Sequence, residues 1–367
     1  MYVHDIKLKN YRNYDYADIS FGKEVNVIYG NNAQGKTNIL ESIYLFTTGK
    51  SFRTNKNKEI IQFNNQYANL KMSFENRNGS NTGEIILSSD QKKRIKINDV
   101  PINKIGELMG FFNAVMFSPE DLNIIKEGPL QRRKFLDILI SQLRPNYFYN
   151  LQQYIKILNQ RNNLLKTIGI KRKLLDTLSV WDEELIECGS RIIASRVAFV
   201  KKLKDIAAVI HSNITQGAER LHIQYQTNIG IKEDIDNVSE IKSAFAKKLD
   251  SYRKREIEKG ITYIGPHRDD MKLMINDHEV KHYGSQGQQR TVVLSLKMAE
   301  MELIKEDIGE NPILLLDDIM SELDRNRQNY IMNSIVNNQV MITCTAIDGF
   351  EKKDHIAFYR VENGRIF

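Results

Sequence analysis

The two motifs that most constrain the fold lie at opposite ends of the chain. GNNAQGKT occupies residues 30–37, and ILLLDD occupies residues 313–318. The first follows the apolar run VNVIY, precedes the helix-forming run NILESIYLF, and matches the spacing G-x-x-x-x-G-K-[ST] of a phosphate-binding loop. In such a loop, glycines let backbone N–H groups turn towards a phosphate at a helix N-terminus. The two motifs can meet only in a split α/β domain with an insertion between its halves.

The chemistry of this pair of motifs is that of a nucleoside triphosphate site. Lys36 is predicted to reach the β- and γ-phosphates, and the Thr37 hydroxyl to bind Mg²⁺. ILLLDD has the pattern of a buried parallel strand with its acids at the carboxyl end, where α/β sheets place ligands. We expect Asp317 to hold the magnesium through its water shell and Asp318 to orient or deprotonate the attacking water.

A third motif, SQGQQR at residues 285–290, opens the helical run TVVLSLKMAEMELI just upstream of ILLLDD. A Ser hydroxyl, a Gly N–H and a helix N-terminus together suit the outer oxygens of a γ-phosphate. This combination predicts an ATPase of the ABC class, in which the turn faces the site of a second copy. Ser285, Gly287 and Gln288 are the candidate contacts. The alternative is an ordinary helix cap formed by Ser285.

Composition limits the class of protein. The chain has 367 residues, 41% hydrophobic and 27% charged, which fits a folded protein of two domains or one α/β domain with an insertion. A net charge of +7 favours a polyanionic partner. Two distant cysteines, Cys188 and Cys344, indicate reduced thiols and no zinc site. No apolar run reaches the roughly 18 residues of a membrane span, and no signal peptide is evident, so we expect a cytoplasmic protein.

The periodicity of the sequence divides the chain into strand-rich and helix-rich parts. Residues 1–112 and 257–367 are predicted to form the α/β head, including the turn at 284–290, and residues 113–256 a helical second lobe. Strands are predicted at 6–11, 25–29, 70–74, 84–87, 94–97, 261–264, 272–275, 313–316 and 340–345, with a hairpin turn at Asn98–Asp99.

Two apolar stripes in the lobe suggest a short arm of antiparallel helices, with KRK (171–173) between them. Ordinary core helices are the alternative. The stripes comprise Leu151, Tyr154, Ile155, Leu158 and Leu165, and Trp181, Leu185, Cys188, Ile192, Phe199 and Leu203.

Several further motifs carry a family resemblance. GNNAQGKTN, SFR (51–53), FSPEDL (117–122), RRKFLD (132–137), GPHRDD (265–270), GSQGQQR and LLLDD are together very similar to the RecF family of bacterial recombination mediators. The motifs run from residue 6 to about residue 345, in matching order. The resemblance implies an ABC-ATPase head of the P-loop NTPase type, with an inserted mainly helical second lobe and a short helical arm.

The resemblance also implies function. It implies ATP and Mg²⁺ as cofactors, an ATP-dependent homodimer, weak DNA-dependent ATPase activity, and sequence-independent binding to duplex DNA and single-strand gaps. Implied partners are RecO, RecR and the recombinase RecA, and implied settings are the nucleoid and the SOS response. SELD resembles the ABC D-loop, with Ser321 and Asp324 as candidates. The nucleotide contacts implied by motif and resemblance are Arg12, Asn13, Gly30, Asn31, Asn32, Ala33, Gln34, Gly35, Lys36, Thr37 and Asn38; for Arg12 and Asn13 a simple strand-end turn is the alternative.

The sequence departs from the wider ABC pattern at two points. The second acid is Asp318 where transporters and SMC proteins carry Glu, one methylene longer, so we expect slow hydrolysis. The strand after the aspartates ends TCTAID without a γ-phosphate-sensing histidine, which leaves Thr343 or Thr345 as candidates. The Q-loop glutamine is not identified.

Other features leave alternatives open. Basic clusters at 53–58, 92–96, 132–134 and 253–255 form either solvated faces or parts of a DNA-binding surface. GPHRDD has no assigned chemistry, and Asp269 and Asp270 equally fit a helix or strand cap. A small-molecule kinase or GTPase is disfavoured because a kinase does not need SQGQQ and NKIG at Asn103 lacks the guanine-reading Asp. An SMC-like tether needs a far longer insertion, and the Asp318 and histidine departures disfavour a transporter subunit.

Overall fold

The computed structural model describes residues 1–168, 172–232, 235–347 and 355–367. It divides into two compact units, Met1–Asp121 with Glu300–Phe367, and Leu122–Ala299. The strands are β1 (Tyr2–Tyr11), β2 (Tyr14–Ser20), β3 (Val25–Tyr29), β4 (Tyr67–Asn76), β5 (Gly79–Ser88), β6 (Arg94–Ile97), β7 (Val100–Ile102), β8 (Ala114–Phe117), β9 (Leu221–Gln226), β10 (Asp270–Ile275), β11 (His278–Glu279), β12 (Ile313–Asp317), β13 (Val340–Cys344), β14 (Ile356–Glu362) and β15 (Arg365–Ile366). The helices are α1 (Lys36–Thr48), α2 (Asn123–Lys126), α3 (Pro129–Leu143), α4 (Pro145–Ile168), α5 (Leu178–Ile214), α6 (Val238–Lys259), α7 (Val280–Tyr283), α8 (Gln286–Ile308) and α9 (Arg325–Ser334).

The first unit contains two six-stranded sheets. One is antiparallel, in the order β2-β1-β4-β5-β6-β7, and its strands alternate buried and exposed residues because one face covers the core. The other has the order β15-β14-β3-β13-β12-β8. Strands β14, β3, β13, β12 and the edge strand β8 are parallel, and β3, β13, β12 and β8 are largely apolar. The predicted hairpin turn is confirmed, since Asn98 and Asp99 both have positive φ between β6 and β7.

The parallel sheet positions the two ends of the predicted nucleotide site. β3 ends at Tyr29, immediately before the phosphate-binding loop, and β12 ends at Asp317. Both strands pair with β13 in parallel, so their carboxyl ends meet at one edge of the sheet. Helix α1 packs into the core of this unit, where Ile39 and Ile43 share one buried cluster with Leu70 and Leu315.

The second unit is mainly helical but contains the sheet β11-β10-β9. Strand β9 interrupts residues 113–256, which the sequence predicted as a helical lobe. The predicted strand at 261–264 is wrong, because these residues form a bend and loop. The run LHIQYQ alternates apolar and polar residues, which is the local pattern of a half-buried strand, and its apolar residues are the buried ones. Leu221–Gln226 pairs along the whole of β10, which supplies the partner.

Residues 257–299 also group differently from the predicted boundary. The sequence assigned them to the head, whereas the structure groups them with the helices of the second unit. The reason is contact: β10 pairs with β9, and Ser295 of α8 lies 3.1 Å from the ring of His211 on α5.

Helices α4 and α5 run antiparallel, as predicted. Arg161 Nε donates to Asp182 Oδ1 at 2.7 Å near one end of the helix pair. Arg196 Nε donates to the Tyr147 hydroxyl at 2.9 Å near the other end. The α5 stripe is largely buried, with Trp181 only partly so, but the α4 stripe is partly wrong because Ile155 is 47% exposed. Ile157 is the buried residue of that turn instead. The fully buried Arg161, about one turn further along, pairs with Glu256 at 2.7 Å. Lys171 of the basic turn lies outside the described residues.

Several residues of GPHRDD form hydrogen bonds that hold segments of the second unit together. The Tyr154 hydroxyl lies 2.6 Å from Nδ1 of His267, whose Nε2 lies 3.2 Å from the carbonyl of Thr262, so the ring is neutral with its proton on Nε2. Asp269 is buried and accepts bonds from the Tyr225 hydroxyl and the Asn228 N–H. Asp270 forms a two-bond pair with Arg132 and also accepts a 2.7 Å bond from the N–H of Met271, so it caps the start of β10.

The buried His267 is predicted to make stability pH-dependent. Burial lowers the pKa of His267 from 6.5 to about 4, so between these pH values the unfolded chain binds a proton that the folded chain does not. Its contribution is complete above pH 6.5 and falls by up to about 3 kcal/mol as the pH approaches 4. In urea unfolding at pH 7 and pH 4.5, His267→Gln should lose less stability on acidification than the wild type. The exposed His222→Gln should retain the wild-type difference; equal losses in all three proteins would contradict the assignment.

Candidate functional site: a phosphate-binding loop joined to paired aspartates

The loop after β3 has the backbone of a phosphate cradle. Gly30 and Gly35 have φ of 150° and 115°, and a Cβ at Gly30 would lie 2.3 Å from the carbonyl oxygen of Val361. Both positions therefore require glycine. Helix α1 begins at Lys36, at the end of the loop, so its free N–H groups and the positive end of its dipole point into the phosphate cradle. Asn31, Asn32 and Ala33 are exposed along the loop.

Lys36 is folded back over the loop. Its Nζ donates to the carbonyls of Gly30 at 2.9 Å and Asn31 at 3.1 Å, and the side chain is buried. The ammonium group is therefore held at the mouth of the cradle, where an incoming phosphate can replace these carbonyl contacts.

The two ends of the chain meet at Asp317. Oδ1 of this residue accepts 2.8 Å bonds from the hydroxyls of Thr37 and Thr343. Burial raises the pKa of Asp317, and the neighbouring charge of Asp318 adds to the rise, while the two hydroxyl bonds oppose it. The first unit thus contains a desolvated carboxylate beside the phosphate cradle.

This donor set fits Mg²⁺. The ion prefers oxygen ligands and keeps several waters, binding through one or two protein oxygens plus substrate phosphates. Thr37 Oγ1 and Asp317 Oδ1 supply two adjacent oxygens, and a cation there would offset the desolvation of the carboxylate. Within the described ranges, no group of three His, Cys, Asp or Glu is placed to hold a metal ion.

Asp318 has a left-handed backbone, with φ of 50°, and its N–H donates to the Thr343 hydroxyl at 2.9 Å. That conformation turns the chain out of the strand directly after Asp317. Thr343 is fully buried, donates to the Asp317 carboxylate and accepts from the Asp318 backbone N–H, so it positions the carboxylate of the first residue and the backbone of the second. Thr345, the other sensor candidate, is exposed. Ser321 donates to the Asp318 carbonyl at 2.7 Å, and Asp324 caps α9.

The residues after β1 support the loop from its flank. Asn13 donates to the carbonyl of Gln34 at 2.7 Å and accepts from Asn38 at 2.8 Å. Arg12 instead forms a two-bond pair with the buried Glu41, at 2.8 and 2.6 Å. In this structure Asn13 lies against the loop, whereas Arg12 is engaged by α1.

Glu41 is the residue that the sequence analysis missed. Its carboxylate is fully buried and accepts bonds from Arg12, the Tyr11 hydroxyl and the Ser51 hydroxyl, with Arg53 at 3.8 Å. A glutamate inside an apolar helical run is the available signal, since a buried acid requires a partner. Two segments, Tyr11–Arg12 before α1 and Ser51–Arg53 after it, are bound to α1 by this one side chain.

The SQGQQR turn lies in the second unit and forms a capping box. The Ser285 hydroxyl accepts from the N–H of Gln288 at 3.2 Å, and the Gln288 side chain accepts from the N–H of Ser285 at 2.8 Å. Gln288 also donates to Glu219 at 2.9 Å, and Glu219 lies 3.1 Å from His211. The helix-cap alternative is therefore correct as geometry, and it leaves Ser285 exposed at the start of α8.

The basic clusters are only partly available to a ligand. Arg132 is buried against Asp270, Arg133 donates to the carbonyl of Asp269, and Arg253 lies 3.7 Å from Asp182. Lys93 contacts the carbonyl of Gly49 at the end of α1, and burial lowers its pKa to about 8. These four side chains form contacts within their own units.

Comparison with known proteins identifies the family. The family model for the RecF/RecN/SMC N terminal domain matches residues 2–366. DNA replication and repair protein RecF of Acetivibrio thermocellus is 48% identical over 370 residues and is matched over 100% of both chains. The protein of the same name from Clostridium acetobutylicum is 48% identical, with 100% of this chain and 99% of that protein covered.

Solved structures agree with the sequence relatives. A structure of the recombination mediator protein RecF-ATP in the RecFOR pathway matches with a TM-score of 0.94 and 38% identity, over 100% of this chain and 97% of that chain. An Smc head domain from Pyrococcus furiosus matches at a TM-score of 0.55 and 15% identity, over 100% and 95% of the two chains, which supports the fold alone. The fold and the joined motifs define an ABC-type ATPase head. The chain belongs to the RecF family of SMC-like ABC ATPases.

No helix in the described parts of the chain is both long and apolar enough to cross a membrane.

The Arg12–Glu41 pair is predicted to be important for stability. Arg12→Met leaves the buried Glu41 carboxylate without its closest cation, which should lower the free energy of unfolding by about 3 kcal/mol. Urea unfolding measures the loss. Lys7→Met is the matched control, because Lys7 pairs with Asp18 on the exposed face of β1, the strand that ends just before Arg12. The stability of this variant should stay within error of the wild type. Similar losses in the two variants would show that Glu41 does not depend on Arg12.

Proposed function

We propose that the protein is an ATP-dependent DNA-binding switch of recombinational repair and replication. The observation that carries the proposal is the 2.8 Å bond between Thr37 and Asp317, which joins a phosphate cradle to a magnesium-suited carboxylate. The relatives named DNA replication and repair protein RecF cover the whole chain. Together they support ATP with Mg²⁺ as the cofactor and DNA maintenance as the setting.

In the proposed reaction the residues of the first unit bind and orient the nucleotide. The loop N–H groups and Lys36 hold the phosphates, and Thr37 and Asp317 would hold Mg²⁺, which offsets phosphate charge. Asp318 orients or deprotonates the attacking water. Thr343 holds the Asp317 carboxylate and the backbone of Asp318 in place through one bond to each. Asp318 has a shorter side chain than the Glu of other ABC proteins, so hydrolysis is slow and serves release.

The site is completed by a second copy of the chain. The exposed Ser285, with Gly287 and Gln288 at the N-terminus of α8, would contact the γ-phosphate held by the partner. Two ATP molecules would then join two heads, and hydrolysis would separate them. Arg12 and Asn13 remain proposed nucleotide contacts, with Arg12 requiring release from Glu41. Ser321 and Asp324 would touch the partner head.

The proposed DNA substrate is duplex DNA with single-strand gaps, bound in the nucleoid without sequence preference. The net charge of +7 supports binding through phosphates. The match to a recombination mediator protein of the RecFOR pathway supports RecO and RecR as partners that load RecA, with a contribution to the SOS response. The ATPase activity would be weak and DNA-dependent.

Blocking hydrolysis is predicted to prolong DNA binding. Asp318→Asn keeps a residue that tolerates the left-handed backbone but removes the charge that activates water, so it should bind ATP normally and hydrolyse it at least about 10-fold more slowly. Lys36→Arg should likewise bind ATP but hydrolyse it poorly. On gapped duplex, ATP should strengthen binding of the wild type, and Asp318→Asn should dissociate more slowly. DNA binding that is equal with and without ATP would refute the switch.

Placing a bulky cation in the α8 turn is predicted to block dimer formation. Ser285→Arg should bind ATP with wild-type affinity but remain a monomer in sedimentation velocity with ATP and Mg²⁺. Asn237→Arg is the matched control: Asn237 caps α6 with bonds at 2.9 and 3.4 Å, so the same residue is introduced at another helix cap. The control should dimerise like the wild type. Normal dimerisation of Ser285→Arg would refute the interfacial role.

A further inference from the structure

Cations and aromatic rings alternate along one side of α6 and the segment that follows it. On a helix with 100° per residue, positions 248, 252, 255 and 259 lie within about 60° of one another. The row continues beyond Gly260 with Tyr263 and Arg268. We call these residues the α6 stripe: Lys248, Tyr252, Arg255, Lys259, Tyr263 and Arg268.

The rings and cations of the α6 stripe are in contact. The Lys248 ammonium lies 5.4 Å from the ring centroid of Tyr252. The guanidinium groups of Arg255 and Arg268 lie 5.1 and 5.8 Å from the ring centroid of Tyr263. Two like charges therefore share one ring, an arrangement that a bound anion would relieve.

Two other cations of α6, Lys242 and Arg253, lie beside carboxylates of α5. Arg253 lies 3.7 Å from Asp182, and Lys242 pairs with Glu187. The exposed Lys247 and Lys254 lie on a different side of the helix from the α6 stripe. Among the described residues, none of the four cations of the α6 stripe has a carboxylate within 4.0 Å. The exposed Asp250 projects from the opposite side of the helix.

The GPHRDD segment positions Arg268, the last residue of the α6 stripe. Gly265 has φ of 134°, and a Cβ there would lie 2.3 Å from the Tyr154 hydroxyl. The carbonyl of Pro266 accepts a 2.7 Å bond from the buried Arg196, and Asp269 is buried. Arg268 alone among these side chains is exposed. The motif therefore anchors its neighbours inside and presents Arg268 at the surface.

We infer that the α6 stripe binds the phosphate backbone of a nucleic acid strand, an inference that rests on the proposed DNA-binding function and locates one part of it. From residue 248 to 259 the helix rises about 17 Å, which corresponds to about five phosphates of one duplex strand. Rings between the cations suit a strand with accessible bases, as at a gap. An acidic protein would need no such rings.

The test compares salt dependence of binding in the full-length protein with ATP and Mg²⁺. The protein is titrated into labelled duplex, gapped duplex and single-stranded oligonucleotides at several salt concentrations from about 50 to about 300 mM. Arg255→Gln combined with Arg268→Gln should reduce the slope of log K against log salt by about 1.8 on duplex and about 1.4 on a single strand. Lys259→Gln, which disturbs no ring contact, should reduce the duplex slope by about 0.9.

Two control variants test whether a change in the salt slope depends on where a positive charge is removed or only on the number of charges removed. Arg253→Gln changes a paired arginine of the same helix. Lys201→Gln with Lys202→Gln removes two exposed charges from α5. They lie about 21 Å along that helix from Glu187, the residue that contacts Lys242 of α6. Both should keep the wild-type slope.

The outcomes distinguish the two proposals. A steep wild-type slope with unchanged slopes in the α6 stripe variants would overturn the inference but leave the proposed function intact. Equal losses in the controls would also overturn it. A wild type that binds none of the three nucleic acids, with or without ATP, would overturn both. Equal competition by polyglutamate and DNA at the same charge concentration would indicate a general polyanion surface and overturn the nucleic-acid assignment.

Discussion

The hydrogen bonds at Asp317 are the constraint on which the rest of the first unit depends. They connect residues 280 positions apart, Thr37 at the start of α1 and Asp317 at the end of β12, with Thr343 on the strand between. Such a distant contact costs loop-closure entropy, which the pairing of β3, β13 and β12 offsets by burying apolar strands on a shared register. The nucleotide site is therefore a consequence of the sheet: both motifs sit at carboxyl ends of parallel strands.

Buried charge is handled in the same way in both units, through paired and heavily hydrogen-bonded groups. Glu41 gathers Arg12, Tyr11 and Ser51 beside the phosphate-binding loop. In the second unit, the fully buried Arg196 bonds Asp137 at 2.8 Å and a backbone carbonyl. Removing a partner from such a group leaves an uncompensated charge in a medium of low dielectric. These networks hold loops to helices where apolar packing alone would allow sliding.

Sequence patterns predicted elements best where local chemistry decides them. Val25–Tyr29 and Arg94–Ile97 form strands with the expected bounds, because apolar runs between turn residues have few alternatives. The buried face of α4 excludes Ile155 because the helical repeat selects Ile157 instead; the row is Tyr154, Ile157, Arg161, Leu165 and Ile168. Strand β9 does carry a local signal, the alternation LHIQYQ, but it is a short segment between long helices and its partner β10 lies far along the chain.

For the site, the residue types and spacings of the sequence were sufficient to identify the phosphate cradle, the paired acids and the turn at Ser285, since their chemistry requires those residues in that order. Only the tertiary structure decided what supports them. Glu41, Thr343 and the contacts of GPHRDD depend on partners brought together by folding, and the exposure of Arg268 depends on which neighbours are buried. The sequence determined the chemical groups; packing, which is non-local, decided which of them remain free for a ligand.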